Sequence, residues 1–128
     1  MSKSFNILTA NATDIGKERD ENQDYFGFYP QTPYGSIWII CDGMGGTAGG
    51  RMASIMAVEI IRDTFHEENN RDVKATISEA IVRANAAISA CSRSKSELQG
   101  MGTTAVLLVV KDDLAYVGYV GDSRAYLI

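Results

Sequence analysis

Basic clusters, paired cysteines and long apolar runs are the features that this 128-residue sequence most clearly lacks. Its 16 acidic residues outnumber its 12 lysines and arginines, so no basic patch is available to neutralise a nucleic-acid backbone. No window approaches the run of about 18 apolar residues that a membrane-spanning helix needs, and no apolar signal-peptide core follows Met1. We therefore expect neither a nucleic-acid partner nor a membrane partner. The acidic balance does suit divalent cations.

Cysteine is scarce, and its two positions, Cys41 and Cys91, are far apart with no neighbouring cysteine or histidine. Unpaired thiols are typical of a reducing compartment, so we expect a cytoplasmic protein. A hydrophobic content of 45% in 128 residues is enough for a single core and too little for two. The sequence therefore predicts one domain over residues 1–128.

Strand-like and helix-like segments follow one another in a simple order. Apolar and aromatic residues predict strands over 4–14 and 24–29, a turn over 30–35, and a further strand that ends at Asp42. Residues 103–110 and 114–120 predict two more strands around a turn at 111–113, and another begins near Arg124. Residues 92–97 are predicted to form a loop.

Two amphipathic helices are predicted between these groups of strands. Apolar residues recur at helical spacing in both, at Met52, Met56, Ile60 and Phe65 and then at Val73, Ile77, Ile81, Ala84, Ile88 and Cys91. Asp72 suits the positive end of the second helix dipole. His66, the one histidine, lies at the end of the first helix and is predicted to be solvated.

The most informative stretch is an apolar run that is followed directly by Asp42 and then by several glycines. A carboxylate directly after a buried strand must be solvated, paired or metal-bound to avoid a desolvation cost of several kcal/mol. Asp24 and Asp122 also lie at predicted strand ends. Magnesium and manganese prefer oxygen ligands, so these aspartates and the Gly43 carbonyl are candidate ligands. The alternative is ordinary turn chemistry, which we favour for Asp24 taken alone.

The segment from Gly43 to Ala48 also fits the GxGxxA variant of the dinucleotide fingerprint, because it follows a strand and precedes a helix. In this alternative Asp42 would face the pyrophosphate. The acid expected about 20 residues later should end a second strand, whereas Asp63 lies within the predicted helix. The dinucleotide interpretation is therefore the weaker one.

Four motifs of this chain resemble, in identity and in order, those of the metal-dependent PP2C-type (PPM) serine/threonine phosphatases, particularly the bacterial form. The resemblance spans the whole chain. The motifs are Thr13-Asp14-Ile15-Gly16 with Arg19 and Asn22-Gln23-Asp24, Cys41-Asp42-Gly43-Met44-Gly45-Gly46, Gly100-Met101-Gly102-Thr103-Thr104, and Val120-Gly121-Asp122-Ser123-Arg124.

The resemblance implies an α+β fold, the four-layer αββα sandwich of antiparallel sheets, of which this chain would form the N-terminal half. It implies hydrolysis of phosphoserine and phosphothreonine in proteins by a water activated between two Mn²⁺ or Mg²⁺ ions. It implies phosphoprotein substrates of a Ser/Thr kinase. By the same resemblance, the site residues are Asp42, which bridges two metals, Gly43 through its carbonyl, Arg19 at the substrate phosphate, Asp24 and Gln23 in or next to the metal shell, and Asp122 at a third, weaker metal.

Three departures from the family pattern limit this carry-over. Gln23 stands where many members have Glu, and Thr47 stands where bacterial relatives often have His. The later motifs, which supply two further metal-binding aspartates, have no counterpart before Ile128, so we expect about the first half of the family domain. Because the cleft would then be incomplete, a polypeptide of this extent is expected to be poorly stable or inactive. The alternative to an active phosphatase is a catalytically inactive binding or regulatory module.

Overall fold

The computed structural model describes residues 24–44, 46–67 and 72–121. Its elements are, in chain order, β1 (Asp24–Thr32), β2 (Gly35–Met44), α1 (Gly46–His66), α2 (Val73–Ser94), a short 3-10 helix (Ser96–Leu98), β3 (Gly102–Thr103), β4 (Ala105–Lys111) and β5 (Leu114–Val120). The strands predicted over 4–14 and near Arg124 lie outside the described residues. In the described part of the chain, no helix is both long and apolar enough to cross a membrane.

The strands form one antiparallel sheet in the order β1-β2-β4-β5, with the short β3 paired to the end of β2. Side chains alternate between the two faces of a strand, and β2 shows this clearly. Ile37, Ile39 and Cys41 are fully buried, whereas Ile40, between them in sequence, is 54% exposed. Both helices therefore pack on the face of the sheet that these odd-numbered residues occupy.

The core lies between that sheet face and the two long helices. Its fully buried members include Ile39, Val58, Ile61, Phe65 and Leu107. Close approach of α2 to β5 requires glycine at position 118, because an added Cβ would lie 2.5 Å from Cγ2 of Ile77. The predicted α+β architecture of strands, two long helices and strands is confirmed.

The predicted buried stripe of α1 needs correction. Met52 is 38% exposed, and Met56 and Ile60 are only partly buried. Of the predicted stripe only Phe65 is fully buried. The other buried side chains of this helix are Ala53, Ser54, Ala57, Val58, Ile61 and Thr64, and the first three of these are small. Small side chains let the helix lie close to the sheet, which a pattern of large apolar residues cannot indicate.

The second helix agrees with its predicted pattern. Val73, Ile77, Ala84 and Ile88 are buried, and the Asp72 side chain caps the helix by accepting a hydrogen bond from the Ala75 N–H at 2.6 Å. The predicted loop over 92–97 is wrong in detail. The helix continues to Ser94, and the short 3-10 helix begins two residues later.

The opposite face of the sheet is apolar and partly exposed. Phe28 and Trp38 stack there with ring centroids 4.9 Å apart, and Tyr119 is 68% exposed. The register places Asp24 and Asp42 on this same face, at one end of it. This face, which we call the open face, and the two carboxylates are thus parts of one surface.

Candidate metal centre

A row of four residues crosses one end of the sheet, and we call it the strand-end row: Asp24, Asp42, Thr104 and Gly121. Asp24 pairs with Asp42 in the β1–β2 ladder. The Thr104 N–H donates to the Asp42 carbonyl at 3.0 Å, so Thr104 lies on the other side of Asp42. Gly121 follows β5 and approaches Thr104 so closely that an added Cβ would lie 2.6 Å from its Cγ2. The row therefore brings together residues from four segments of the chain.

The two carboxylates of the row lie directly opposite each other on neighbouring antiparallel strands. Such a pair has Cβ atoms about 4.5–5.5 Å apart, and like charges in this arrangement destabilise a sheet. Both residues are half-buried, and Oδ1 of Asp24 is shielded from solvent. A divalent cation between the carboxylates would replace their repulsion with attraction.

Asp42 belongs to the strand rather than to an open loop. The prediction that β2 ends at Asp42 and opens into a glycine loop is wrong, since the strand continues through Gly43 to Met44. Pairing with β3, at Gly43 with Thr103 and at Met44 with Gly102, supplies backbone partners beyond Asp42. A carboxylate on a paired strand is held more rigidly than one on a loop, which suits a metal ligand.

One of the glycines after Asp42 has a packing role at the start of α1. Three of them, Gly46, Gly49 and Gly50, lie in the first turns of α1. Gly49 faces Met101, whose Cβ would be 3.0 Å from a Cβ added at Gly49. The absence of a side chain therefore lets the start of α1 lie against the residue that precedes β3.

The hydrogen-bond ladder between β2 and β4 changes at Thr104. The register of β2 with β4 runs from Ser36–Val110 to Ile40–Val106, and the same register resumes in β3 with Gly43–Thr103. Between these points the Asp42 N–H donates to Thr104 Oγ1, at 3.2 Å, instead of to a backbone carbonyl. The Thr104 carbonyl accepts from Thr103 Oγ1 at 2.7 Å. The sequence identified both threonines as part of a motif but indicated no role for either one.

Cys41, which precedes Asp42, faces the helices and is fully buried. Burial raises the pKa of this thiol to about 12, and the hydrogen bond to the Thr103 side chain acts in the opposite direction. A thiol with so high a pKa stays protonated near neutral pH and is a poor nucleophile or metal ligand. Both cysteines are free, as the sequence predicted.

The structure brings together two of the predicted metal ligands, Asp24 and Asp42, with Gly43 adjacent. Arg19, Gln23 and Asp122 lie outside the described residues. Within 24–44, 46–67 and 72–121, no group of three or more His, Cys, Asp or Glu side chains is placed to hold a metal ion. The described residues thus fit part of an oxygen-ligand shell for Mn²⁺ or Mg²⁺, and its remaining ligands would come from outside them.

The fold disagrees with the dinucleotide alternative. That fingerprint needs a parallel βαβ unit, whereas every pairing between the described strands is antiparallel. Asp63, the candidate ribose ligand, lies in α1 and pairs with Arg62 at 2.9 Å. The predicted solvation of His66 agrees with the structure, in which its side chain is exposed and Nδ1 lies 2.8 Å from the Arg62 carbonyl.

Comparison with known proteins identifies the class to which this α+β chain belongs. Residues 16–128 match the family described as Protein phosphatase 2C. The match covers most of the chain, so the chain belongs to the protein phosphatase 2C family.

Individual relatives are bacterial phosphatases. The serine/threonine phosphatase stp of Listeria monocytogenes is 34% identical over 120 residues, which are 91% of this chain and 48% of that protein. Phosphatase PhpP of Streptococcus pneumoniae is also 34% identical, with the same coverage. The chain therefore spans about half the length of these curated relatives.

Solved structures agree with the fold. A bacterial serine phosphatase superposes with a TM-score of 0.81 at 31% identity, covering 91% of this chain and 49% of that one. The catalytic domain of PstP, in complex with two manganese ions, superposes with a TM-score of 0.73 at 30% identity, covering 88% of this chain and 47% of that one.

Proposed function

We propose that this chain forms the metal-binding part of a protein phosphatase that hydrolyses phosphoserine and phosphothreonine with Mn²⁺ or Mg²⁺. The observation that carries the proposal is the pairing of Asp24 directly opposite Asp42 at the end of the open sheet face. Family membership and the two manganese ions of the PstP structure support it. Two free cysteines are consistent with action in the reducing cytoplasm, where kinase-modified proteins would be the substrates.

In this proposal each site residue has a defined task. Asp42 would serve as a carboxylate ligand to two cations, Asp24 and Gln23 would supply further oxygens directly or through water, and the Gly43 carbonyl would add a neutral oxygen. Asp122 would hold a third, more weakly bound cation. Arg19 binds the substrate phosphate, since its planar guanidinium matches two phosphate oxygens at once.

The chemistry follows from holding these oxygens in fixed positions. When bound, the cations would acidify a water and neutralise charge on the transferring phosphoryl group. Asp24 and Asp42 would contribute carboxylate oxygens from paired strands, and the register of these strands places the two residues directly opposite each other. Arg19 orients the phosphate so that attack can occur in line with the leaving oxygen.

Manganese-dependent hydrolysis of a phosphopeptide by the complete gene product tests the proposal, because these 128 residues span about half the length of the curated relatives. Asp42→Ala should abolish turnover, and Arg19→Ala should raise KM for the phosphopeptide. Asp113→Ala is the matched control, because it removes the same charge from the exposed turn beyond the far end of β4. The seven residues of β4 place that turn about 24 Å from the strand-end row.

The outcomes separate the proposal from its alternative. Turnover by wild type and Asp113→Ala, with none by Asp42→Ala, supports the phosphatase. Mn²⁺ binding without turnover in the wild type would favour the inactive binding module. Unchanged turnover in Asp42→Ala would refute the assigned site.

A further inference from the structure

At Thr104 a side-chain hydroxyl, and not a backbone carbonyl, accepts the hydrogen bond from the Asp42 N–H. We propose that Thr104 is a positioning residue, whose hydroxyl fixes the backbone of Asp42 so that its carboxylate is held ready for a divalent cation. This inference rests on the proposed function, because it assigns a task to a neighbour of the proposed metal ligand.

Thr104 holds both backbone polar groups of Asp42. The Asp42 N–H donates to Thr104 Oγ1 at 3.2 Å, and the Asp42 carbonyl accepts from the Thr104 N–H at 3.0 Å. Fixing the N–H and the carbonyl of one residue restricts both of its backbone dihedrals. Together with the pairing of β2 to β1 and β3, these two hydrogen bonds to Thr104 restrict the direction of the Asp42 Cα–Cβ bond.

The hydroxyl is needed because the Thr104 carbonyl is directed elsewhere. In a regular antiparallel pair that carbonyl would accept from the Asp42 N–H. Here it accepts from Thr103 Oγ1 at 2.7 Å, and the side chain of Thr104 takes its place in the ladder. Removal of the hydroxyl would leave the Asp42 N–H, which lies in a partly buried position, without this acceptor.

The methyl group of Thr104 is held from the opposite side. A Cβ added at Gly121 would lie 2.6 Å from Cγ2 of Thr104, so the two residues are close neighbours. Thr104 is only 7% exposed. Contact with Gly121 limits rotation about the Cα–Cβ bond and keeps the hydroxyl directed at Asp42. Thr104 thus links the Asp42 strand to the segment that leads directly into Asp122.

A set of four variants of the complete gene product tests this inference. Thr104→Ser and Thr104→Ala both lack the methyl group and differ only in the hydroxyl, while Thr104→Val keeps the shape and loses the hydroxyl. Thr64→Val is the matched control, since Thr64 is a buried threonine whose hydroxyl donates to the Ile60 carbonyl at 2.8 Å, near the far end of α1. Two readouts are used, hydrogen exchange of the Asp42 amide without metal and the Kd for Mn²⁺ by calorimetry.

Thr104→Ala and Thr104→Val should weaken Mn²⁺ binding by about 10–100-fold, the usual effect of removing a group that orients a metal ligand. Their Asp42 amide should exchange faster. Thr104→Ser should restore both properties toward the wild type, and Thr64→Val should leave the Kd unchanged. If Thr104→Val does not fold, the comparison of Thr104→Ala with Thr104→Ser decides.

The contrary results are distinct. Equal Mn²⁺ affinity in Thr104→Ala and Thr104→Ser would overturn the positioning role and leave the proposed metal site standing. Failure of the wild type to bind Mn²⁺ would overturn both proposals. Weakened binding in Thr64→Val equal to that in Thr104→Ala would show a general loss of stability and would overturn the specific role.

Discussion

Replacing Gly121 with alanine should destabilise the fold much more than the same change at Gly100. Both glycines have positive φ, +94° at Gly121 and +80° at Gly100. A Cβ at Gly100 would meet nothing within 4 Å, whereas one at Gly121 would meet Thr104 Cγ2 at 2.6 Å and Cβ at 3.0 Å. The comparison therefore separates backbone strain from contact with Thr104.

The magnitudes follow from these two terms. Left-handed backbone costs an alanine about 1–2 kcal/mol, and we expect Gly100→Ala to lose that amount. Overpacking against a buried side chain adds about 1–3 kcal/mol, so Gly121→Ala should lose about 2–5 kcal/mol. The entropy that alanine removes from the unfolded chain is the same at both sites and cancels in the difference.

Urea unfolding of the full chain measures both variants, and Thr104→Ser supplies the decisive background. Because serine lacks Cγ2, Gly121→Ala should cost less in that background, with some excess left from the remaining Cβ contact. Equal costs for Gly100→Ala and Gly121→Ala would refute the reasoning. So would an unchanged cost of Gly121→Ala in the Thr104→Ser background.

Three further predictions concern the helices and the sheet face that they cover. Gly118→Ala should cost about 1–3 kcal/mol because its Cβ would lie 2.5 Å from Ile77 Cγ2, and most of that cost should vanish in an Ile77→Ala background in a double-mutant cycle. Asp72→Ala removes the side-chain cap of α2 and should lower the free energy of unfolding by about 1 kcal/mol in urea, whereas Asp72→Asn should retain most of it. Burial raises the pKa of Cys41 from 9.0 to about 12, so the thiol of the unfolded chain loses its proton first and stability should fall as the pH rises through that range. The urea midpoint of Cys41→Ala should decline less than that of the wild type between pH 9 and 12, and parallel profiles would contradict the assignment.

The elements that the sequence predicted correctly are those whose signals lie within a short segment of the chain. The period of apolar residues in α2 and the aspartate before it were sufficient, because the cap and the buried stripe depend on neighbours in sequence. In α1 the prediction for Phe65 was correct, but the rest of the stripe was misplaced, in part because small residues such as Ala53 and Ala57 occupy buried positions. Small residues give a weak signal at helical spacing.

The site itself depends on contacts between distant residues. The sequence indicated Asp24 and Asp42 separately, but only the register of β1 with β2 places them opposite each other. Thr104 Oγ1 accepts a hydrogen bond from a residue 62 positions away. No pattern in the neighbouring sequence indicates that this hydroxyl, and not the Thr104 carbonyl, is the acceptor. The extension of β2 past Asp42 likewise required the partner β3, which contributes only two residues.

Direct measurement of Mn²⁺ binding to the complete gene product tests the central claim that Asp24 and Asp42 form a divalent-cation site. Electron paramagnetic resonance of free Mn²⁺ gives the bound fraction without requiring turnover. We predict stoichiometric binding by the wild type and by Asp113→Asn, and binding weakened by at least about tenfold in Asp42→Asn. Equal binding by the wild type, Asp113→Asn and Asp42→Asn, or none by any of them, would contradict the account.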